Sequence, residues 1–293
     1  PVGTAEEIAD MISEFEDIAR VILGLSKLKI FGFGPRPQDF LACNAPIKPL
    51  YDLGIEIMEN SELDLFEAYN KHKDDPRIPD VVNDMAKELG SGNNYPAVLE
   101  RLAQYELTLK DWMEANIGAS EFAVFANKCW PAFQTQFGFV PCYVNSRFAS
   151  KGIPIACEVD IYGALSEYII ACSTCIPPTI LDINNTVPKD MYQNNKDKFA
   201  GYKHTDLFMG FHCGNTPVCC MKTAQMKYQL IMHRLLEPDK EPDITRGTLE
   251  GIIRPGEITI FRLQGTADCV LKSYVAQGEV IDLDPKSFGG IGV

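Results

Sequence analysis

The chain has 293 residues, 46% hydrophobic and 23% charged, the profile of a folded globule, and its length suits two ordinary domains better than one. A formal net charge of −13 sets a repulsive field against polyphosphate backbones and anionic bilayers. Nucleic acid and membrane surfaces are thereby excluded as partners, while neutral sugars and divalent cations stay compatible.

The first element in chain order is a helix over residues 4–25. Ile8, Met11, Ile12, Phe15, Ile18, Ala19, Ile22 and Leu23 recur at helical spacing, and Thr4 with Glu7 forms a capping box. The stretch is acidic and amphipathic, without the basic lead and apolar core of a signal peptide, so the expected compartment is the cytoplasm. No apolar run approaches the roughly 18–20 residues of a membrane span. Leu28–Phe33 reads as a strand, followed by GFGPRPQDF and a helix to about Leu53, then a strand over residues 55–58. This β-α-β unit predicts a parallel sheet. Helices are expected near 61–73, 79–89 and 95–116, a strand at 121–127, and helical chain over 128–150 with a turn at Gly138. A further helix starts close to Glu158. After Pro177–Pro178 short strand-like runs (TILDI, LFMGFH, EITIFRL, CVLKSYVAQGEVIDL) suggest antiparallel pairing. The expected architecture is a Rossmann-like parallel α/β domain, residues 1–172, followed by a mainly antiparallel, barrel-like β domain, residues 173–293, that is incomplete.

Ten cysteines lie mostly inside apolar runs and read as small buried hydrophobes in a reducing compartment. Cys172–Cys175 has CxxC spacing but lacks the second pair that zinc wants. GFGPRP lacks the third glycine of a dinucleotide loop, Pro37 standing in its place, and reads as a turn that starts a helix.

The segment ACEVDIYGAL places Glu158 and Asp160 two apart at a helix start, where capping alone explains carboxylates. A second acid, Asp182, comes 24 residues on, at the end of the apolar run PPTILDINN, and a carboxylate in a core requires a partner cation. His212 ends a third apolar run, FHCGNTP. Of the other histidines, His72 and His233 read as solvated and His204 is ambiguous. Two carboxylates and an imidazole at successive strand ends point to a divalent metal, and this donor set suits Mn²⁺ or Mg²⁺ better than zinc.

NKCWPAFQTQFGFVPCYVNSRFASKGIPIACEVDIYGALSEYI, then TILDINN, then FHCGNTP, resembles the core of the L-fucose/L-arabinose isomerase superfamily, nearest its fucose-isomerase-like branch. The resemblance implies an aldose–ketose isomerase that moves a proton between C1 and C2 through an enediolate. It implies Mn²⁺, with Mg²⁺ or Co²⁺ as alternatives, held by Glu158, Asp182 and His212, the two carboxylates also relaying protons. Asp160 would support the helix start, and Lys128, Trp130 and Asn215 would line the sugar. Homo-oligomers are implied as well. So are a further histidine beyond the turn that KSFGGIGV resembles and an additional N-terminal α/β domain, which makes the chain a central and C-terminal piece with weak or no activity alone. The alternatives are a sugar-binding or regulatory relative without turnover and a metal-free module with capped acids.

Overall fold

The computed structural model describes residues 2–184, 187–199, 201–212 and 215–283, with the backbone of 286–287 and 290–291. Helix α1, Ala5–Leu25, starts at the predicted Thr4–Glu7 capping box. Its apolar spacing predicts a buried face, yet Ile12, Phe15, Ile18 and Ile22 are each more than half exposed. What anchors α1 instead is Arg20, which donates to the carbonyls of Cys172 and Ser173. Buried Gly24 adds to this, since a Cβ there would sit 2.9 Å from the Tyr168 hydroxyl.

Strand β1, Leu28–Phe33, is buried along its whole length, as a strand covered on both faces must be. The helix expected after it is broken into a 3₁₀ turn, Leu41–Asn44, and the single turn α2, Lys48–Asp52. Prolines 35, 37, 46 and 49 explain the break, because each lacks an N–H and restricts the residue before it. There follow β2 (Glu56–Asn60), α3 (Glu62–Lys71), α4 (Ile78–Leu89), α5 (Leu99–Asn116) and β3 (Phe122–Ala126). Residues 128–150 hold one π-helical turn, Phe133–Phe137, ended by Gly138 at φ 76°, and then α6, Cys142–Ser150. The two-residue β4, Ile155–Ala156, leads to α7, Ile161–Thr174. All four strands pair in parallel, in the order β2-β1-β3-β4. One face of the sheet (Phe31, Phe33, Phe125) packs on Leu102, Tyr105 and Phe148, and the other (Leu28, Ile30, Val124) on Ile161, Leu165 and Tyr168.

The antiparallel pairing expected beyond Pro178 is present as two-stranded ladders. Strand β5, Asp182–Asn184, precedes α8, Lys189–Asn194, and pairs with β6, Met209–Phe211. Strand β7, Met221–Tyr228, and β8, Arg246–Ile253, flank α9, Leu230–Leu236. Strands β9, Gly256–Gly265, and β10, Leu271–Val280, form a hairpin, and a final pair joins β11, Lys286–Ser287, to β12, Gly290–Ile291. The rest of the glycine-rich KSFGGIGV stretch lies outside the described residues. Strands β7 and β8 escape the sequence reading because their polar faces hide the apolar alternation. They close one face of the core with Met221, Met226 and Leu249. Gly247, at φ 117°, sits where a Cβ would fall 2.3 Å from the Val140 carbonyl, so this ladder packs directly on the chain before α6. Among the described residues no helix is long and apolar enough to cross a membrane. Cys43, Cys129, Cys142 and Cys157 are buried as expected, whereas Cys175, Cys219 and Cys269 are exposed.

A buried ion network locks α4, α5 and α6 together. Arg147 donates to Glu106 at 2.6 Å, Glu88 at 2.7 Å and Asp84 at 2.6 Å, and Lys151 adds a second cation to Glu106 at 2.9 Å. Burial alone would raise the Glu106 pKa, but Arg147 and Lys151 hold it down to about 2. Its stabilising share is therefore complete above the ordinary carboxylate pKa and is lost as pH falls through about 2. Removing the arginine leaves Glu106 with Lys110 and Lys151 only and takes the cation from Glu88, so Arg147→Met is expected to lower stability by about 1–3 kcal/mol in urea melts. The double variant Arg147→Met with Glu106→Leu should recover part of that loss.

Candidate functional site

The carboxyl ends of the four parallel strands converge on one side of the sheet, where open α/β sheets bind ligands. Asn127, Lys128, Cys129 and Trp130 follow β3, and Cys157 and Glu158 follow β4. Glu158 and Val159 adopt φ of 60° and 51°, two successive left-handed residues without a glycine. For a β-branched valine this is a true outlier, costing on the order of 1–3 kcal/mol, and such strain concentrates at functional sites. Hydrogen bonds fix the turn: Val159 N–H donates to the Asn127 carbonyl at 2.9 Å, and Asp160 N–H to the Cys157 carbonyl at 3.0 Å.

Asp160 does what the sequence suggested for it. Its carboxylate caps α7 by accepting from Gly163 N–H at 2.9 Å. It also takes a bidentate pair of hydrogen bonds from Arg262 on β9, at 2.6 and 3.0 Å. The hairpin is thus tied to the start of the helix that follows Glu158.

The turn aims the Glu158 carboxyl at Trp130, whose indole N–H lies 3.1 Å from each carboxyl oxygen. Burial pushes the Glu158 pKa up to about 7, the neighbouring Cys129 and Asp182 add to the rise, and the Trp130 N–H and the Lys128 charge oppose it. Trp130 therefore serves first as a hydrogen-bond donor, with its ring against Phe40 at 6.2 Å between centroids.

Asp182 and His212 reach the same neighbourhood through the β5–β6 ladder, which pairs Asp182 with Phe211, the residue before His212. A hydroxyl pair, Thr179 with Thr216 at 2.8 Å, ties the two segments from behind. The Asp182 charge acts on both Glu158 and His212. Two expectations change here. Asp182 opens its short strand rather than ending it and is exposed, so burial does not by itself demand a cation there. Asn215 is buried with its amide donating to the Ile155 carbonyl at 3.0 Å, so it staples the segment after His212 onto β4 rather than facing a ligand by that group.

The donor chemistry fits a divalent cation. His212 Nδ1 is buried and has no hydrogen-bond partner among the described residues. Burial lowers the His212 pKa, which keeps the imidazole in its neutral, metal-binding form. The Asp182 carboxylate, a hard oxygen donor, is near enough for its charge to act on His212 and on Glu158. Among the described residues, however, the one set of three such side chains with ligand atoms within 4.8 Å of one another is His72, Asp75 and Asp111. Glu158, Asp182 and His212 are spaced more widely. The tighter set already holds its own cation: Arg77 reaches Asp75 at 2.5 Å and Asp111 at 2.7 Å. His72, read as solvated, is instead pinned between the Ala68 carbonyl and Asp111.

Sequence reasoning missed Arg262 and Glu62. Arg262 sits in an unremarkable strand 102 residues from its partner. Glu62 looks like an ordinary first-turn acid of α3. Because the indole N–H lowers the Glu158 pKa, Trp130→Phe is expected to raise it above about 7, and a carbon-13 NMR titration of the Glu158 carboxyl would read the shift. An unchanged titration would show that the donor does not reach the carboxylate in solution.

The family described as L-fucose isomerase, C-terminal domain, matches residues 210–293. Sulfoquinovose isomerase of Alkalicoccus urumqiensis is 26% identical over 91% of this chain and 54% of its own length. That of Clostridium sp. (strain MSTE9) is 27% identical over 98% of this chain and 59% of its own. The enzyme of that name from Priestia aryabhattai is 28% identical over 53% of this chain. The chain thus spans between half and three-fifths of the length of the first two of these relatives. These likenesses, to a family model over residues 210–293 and to relatives at 26–28% identity, are to the L-fucose isomerase-like superfamily.

Proposed function

We propose that this chain carries the reaction centre of an aldose–ketose isomerase. The observation that carries the reading is the Glu158 turn: a strained, over-determined backbone presents a carboxyl, clamped by an indole N–H, at the carboxyl edge of a parallel sheet. That its relatives are named sulfoquinovose isomerases supports sugar isomerisation.

Converting an aldose to a ketose moves the C2 proton to C1 and the O2 proton to O1. Glu158, held in place by its backbone and by Trp130, is placed to take the carbon-bound proton on one side of the sugar. Asp182, more exposed and on a separate ladder, handles the proton that moves between oxygens. Lys128 and the face of Trp130 line the sugar. Glu158, Asp182 and His212 would hold a divalent ion, Mn²⁺ with Mg²⁺ or Co²⁺ as alternatives. Such an ion supplies Lewis-acid stabilisation of the negative charge that develops on the sugar oxygens. A homo-oligomer in the cytoplasm remains part of the reading.

Incubating the chain with Mn²⁺ and a panel of aldoses tests it. Weak ketose formation is expected from the chain alone, with a rise in melting temperature on adding Mn²⁺ that Asp182→Asn reduces. Glu158→Gln should lower metal-dependent turnover about 10²–10⁴-fold. Near-normal turnover in that variant would sink the mechanism. Sugar binding without conversion would favour a relative that has lost catalysis, and an unchanged melting temperature would favour a metal-free module.

A further inference from the structure

Among the described residues Cys43, Cys129, Cys142 and Cys157 are buried, and the more accessible thiols are Cys172, Cys175, Cys219, Cys220 and Cys269. Two of these are neighbours in the chain. Cys219 and Cys220 end the 3₁₀ turn Val218–Cys220 that leads into β7. The turn is pinned on both sides: Cys220 N–H donates to the Pro217 carbonyl, and the Cys220 carbonyl accepts from Arg254 N–H, each at 2.9 Å. Cys220 S–H donates to the Pro177 carbonyl at 3.3 Å, and the Cys219 thiol hydrogen-bonds to the same sulfur. The Arg254 charge acts on it as well. Two sulfurs therefore stand side by side on a fixed turn, Cys219 exposed and Cys220 partly buried.

Geometry narrows what such a pair can do. Consecutive Cα atoms across a trans peptide are about 3.8 Å apart, short of the roughly 4.4–6.8 Å that a disulfide usually spans. A direct sulfur–sulfur bond would therefore strain the pinned turn, whereas an atom inserted between the sulfurs relieves that limit. Zinc is a poor bridge, because it wants four donors. Among the described residues no third Cys, His, Asp or Glu donor joins the two thiols within 4.8 Å. Burial, with Cys219 adding to it, also pushes the Cys220 thiol up to about 12, so a divalent cation must compete with a firmly held proton. A soft trivalent centre escapes both limits. It needs two sulfurs only, and the thiol protons leave with its own hydroxyl groups.

We propose that Cys219 and Cys220 form a dithiol site that captures a monosubstituted trivalent arsenical. With R–As(OH)₂, two As–S bonds form and two As–O bonds break. Each departing hydroxide takes one thiol proton and leaves as water. Arsenic stays trivalent, so no oxidant or reductant takes part. The site shares no donor with Glu158, Asp182 and His212, yet it touches the segments that carry the last two. The Cys220 S–H bond to Pro177 is one tie between the stretch that runs to Asp182 and the stretch that follows His212. The Thr179–Thr216 hydroxyl pair and the β5–β6 ladder are the others. Capture consumes that S–H proton, so it releases the Pro177 carbonyl and loosens the Asp182 stretch.

Phenylarsine oxide, which hydrates to this form, is the probe. The full chain is incubated with one equivalent in excess glutathione, a monothiol that strips arsenic from single cysteines, and intact and peptide masses are recorded. The expected result is one adduct that survives glutathione, is removed by a small-molecule dithiol and maps to the peptide carrying residues 219 and 220. Cys219→Ser and Cys220→Ser should each lower its retention about 10²-fold, because the second As–S bond is no longer closed within one molecule. Cys175→Ser should leave it unchanged. Cys220→Ser keeps a hydroxyl donor for Pro177, so loss of the adduct from a variant that melts like the wild type is loss of the site and not of the fold. No adduct surviving glutathione in the wild type overturns the proposal. So does an adduct lost in Cys175→Ser and kept in Cys219→Ser, which assigns the arsenical to the Cys172–Cys175 pair at the end of α7.

Discussion

Everything at the carboxyl edge of the sheet depends on getting the chain from β4 to α7 in four residues. A glycine would do it without strain, and the sequence instead places Glu158 and Val159 in left-handed conformations. The strain is offset locally. Val159 is buried, packs toward Gly32 and donates to the Asn127 carbonyl, so its side chain works as a wedge under the turn. Asp160 then caps the helix and accepts the Arg262 guanidinium. A relaxed backbone here would free the Glu158 carboxyl from the indole; the conformation and the function of the side chain are one constraint.

The electrostatics of that carboxyl are a balance of opposing effects. Burial and the nearby Asp182 disfavour its charge, while the indole N–H and the Lys128 ammonium favour it. His212 sits in the same field with the reverse outcome, since burial suppresses its protonation more strongly than Asp182 promotes it. An acid held near neutrality beside an uncharged imidazole is a combination poised either to bind a cation or to exchange protons. In an acidic chain carrying −13 formal charge, a cation is also drawn inward by the overall field.

Local signals in the sequence were enough for the helices with clear 3.6 periodicity and for the buried strand β1. The capping box at Thr4 and the turn at Gly138 are equally local and equally legible. What stayed hidden depended on partners far along the chain. The polar strands β7 and β8 acquire their identity from packing on α4 and α6. Asn215 looked like a ligand-facing amide because nothing in FHCGNTP announces the Ile155 carbonyl 60 residues earlier. Asp182 looked buried because its preceding residues are apolar, yet the two-stranded ladder leaves its face open. The exposed stripe on α1 shows the converse, an accurate local pattern whose burial the chain itself does not supply.

The Arg262–Asp160 clasp joins residues 102 positions apart. During synthesis the sheet, α7 and the Glu158 turn would all leave the ribosome before the hairpin that steadies them. Contacts of such separation form late, after the loop between them has closed. The Glu158 carboxylate is therefore the last part of the sheet edge to be made rigid, so a chain cut short before β9 would keep much of its core while losing the brace beneath that turn.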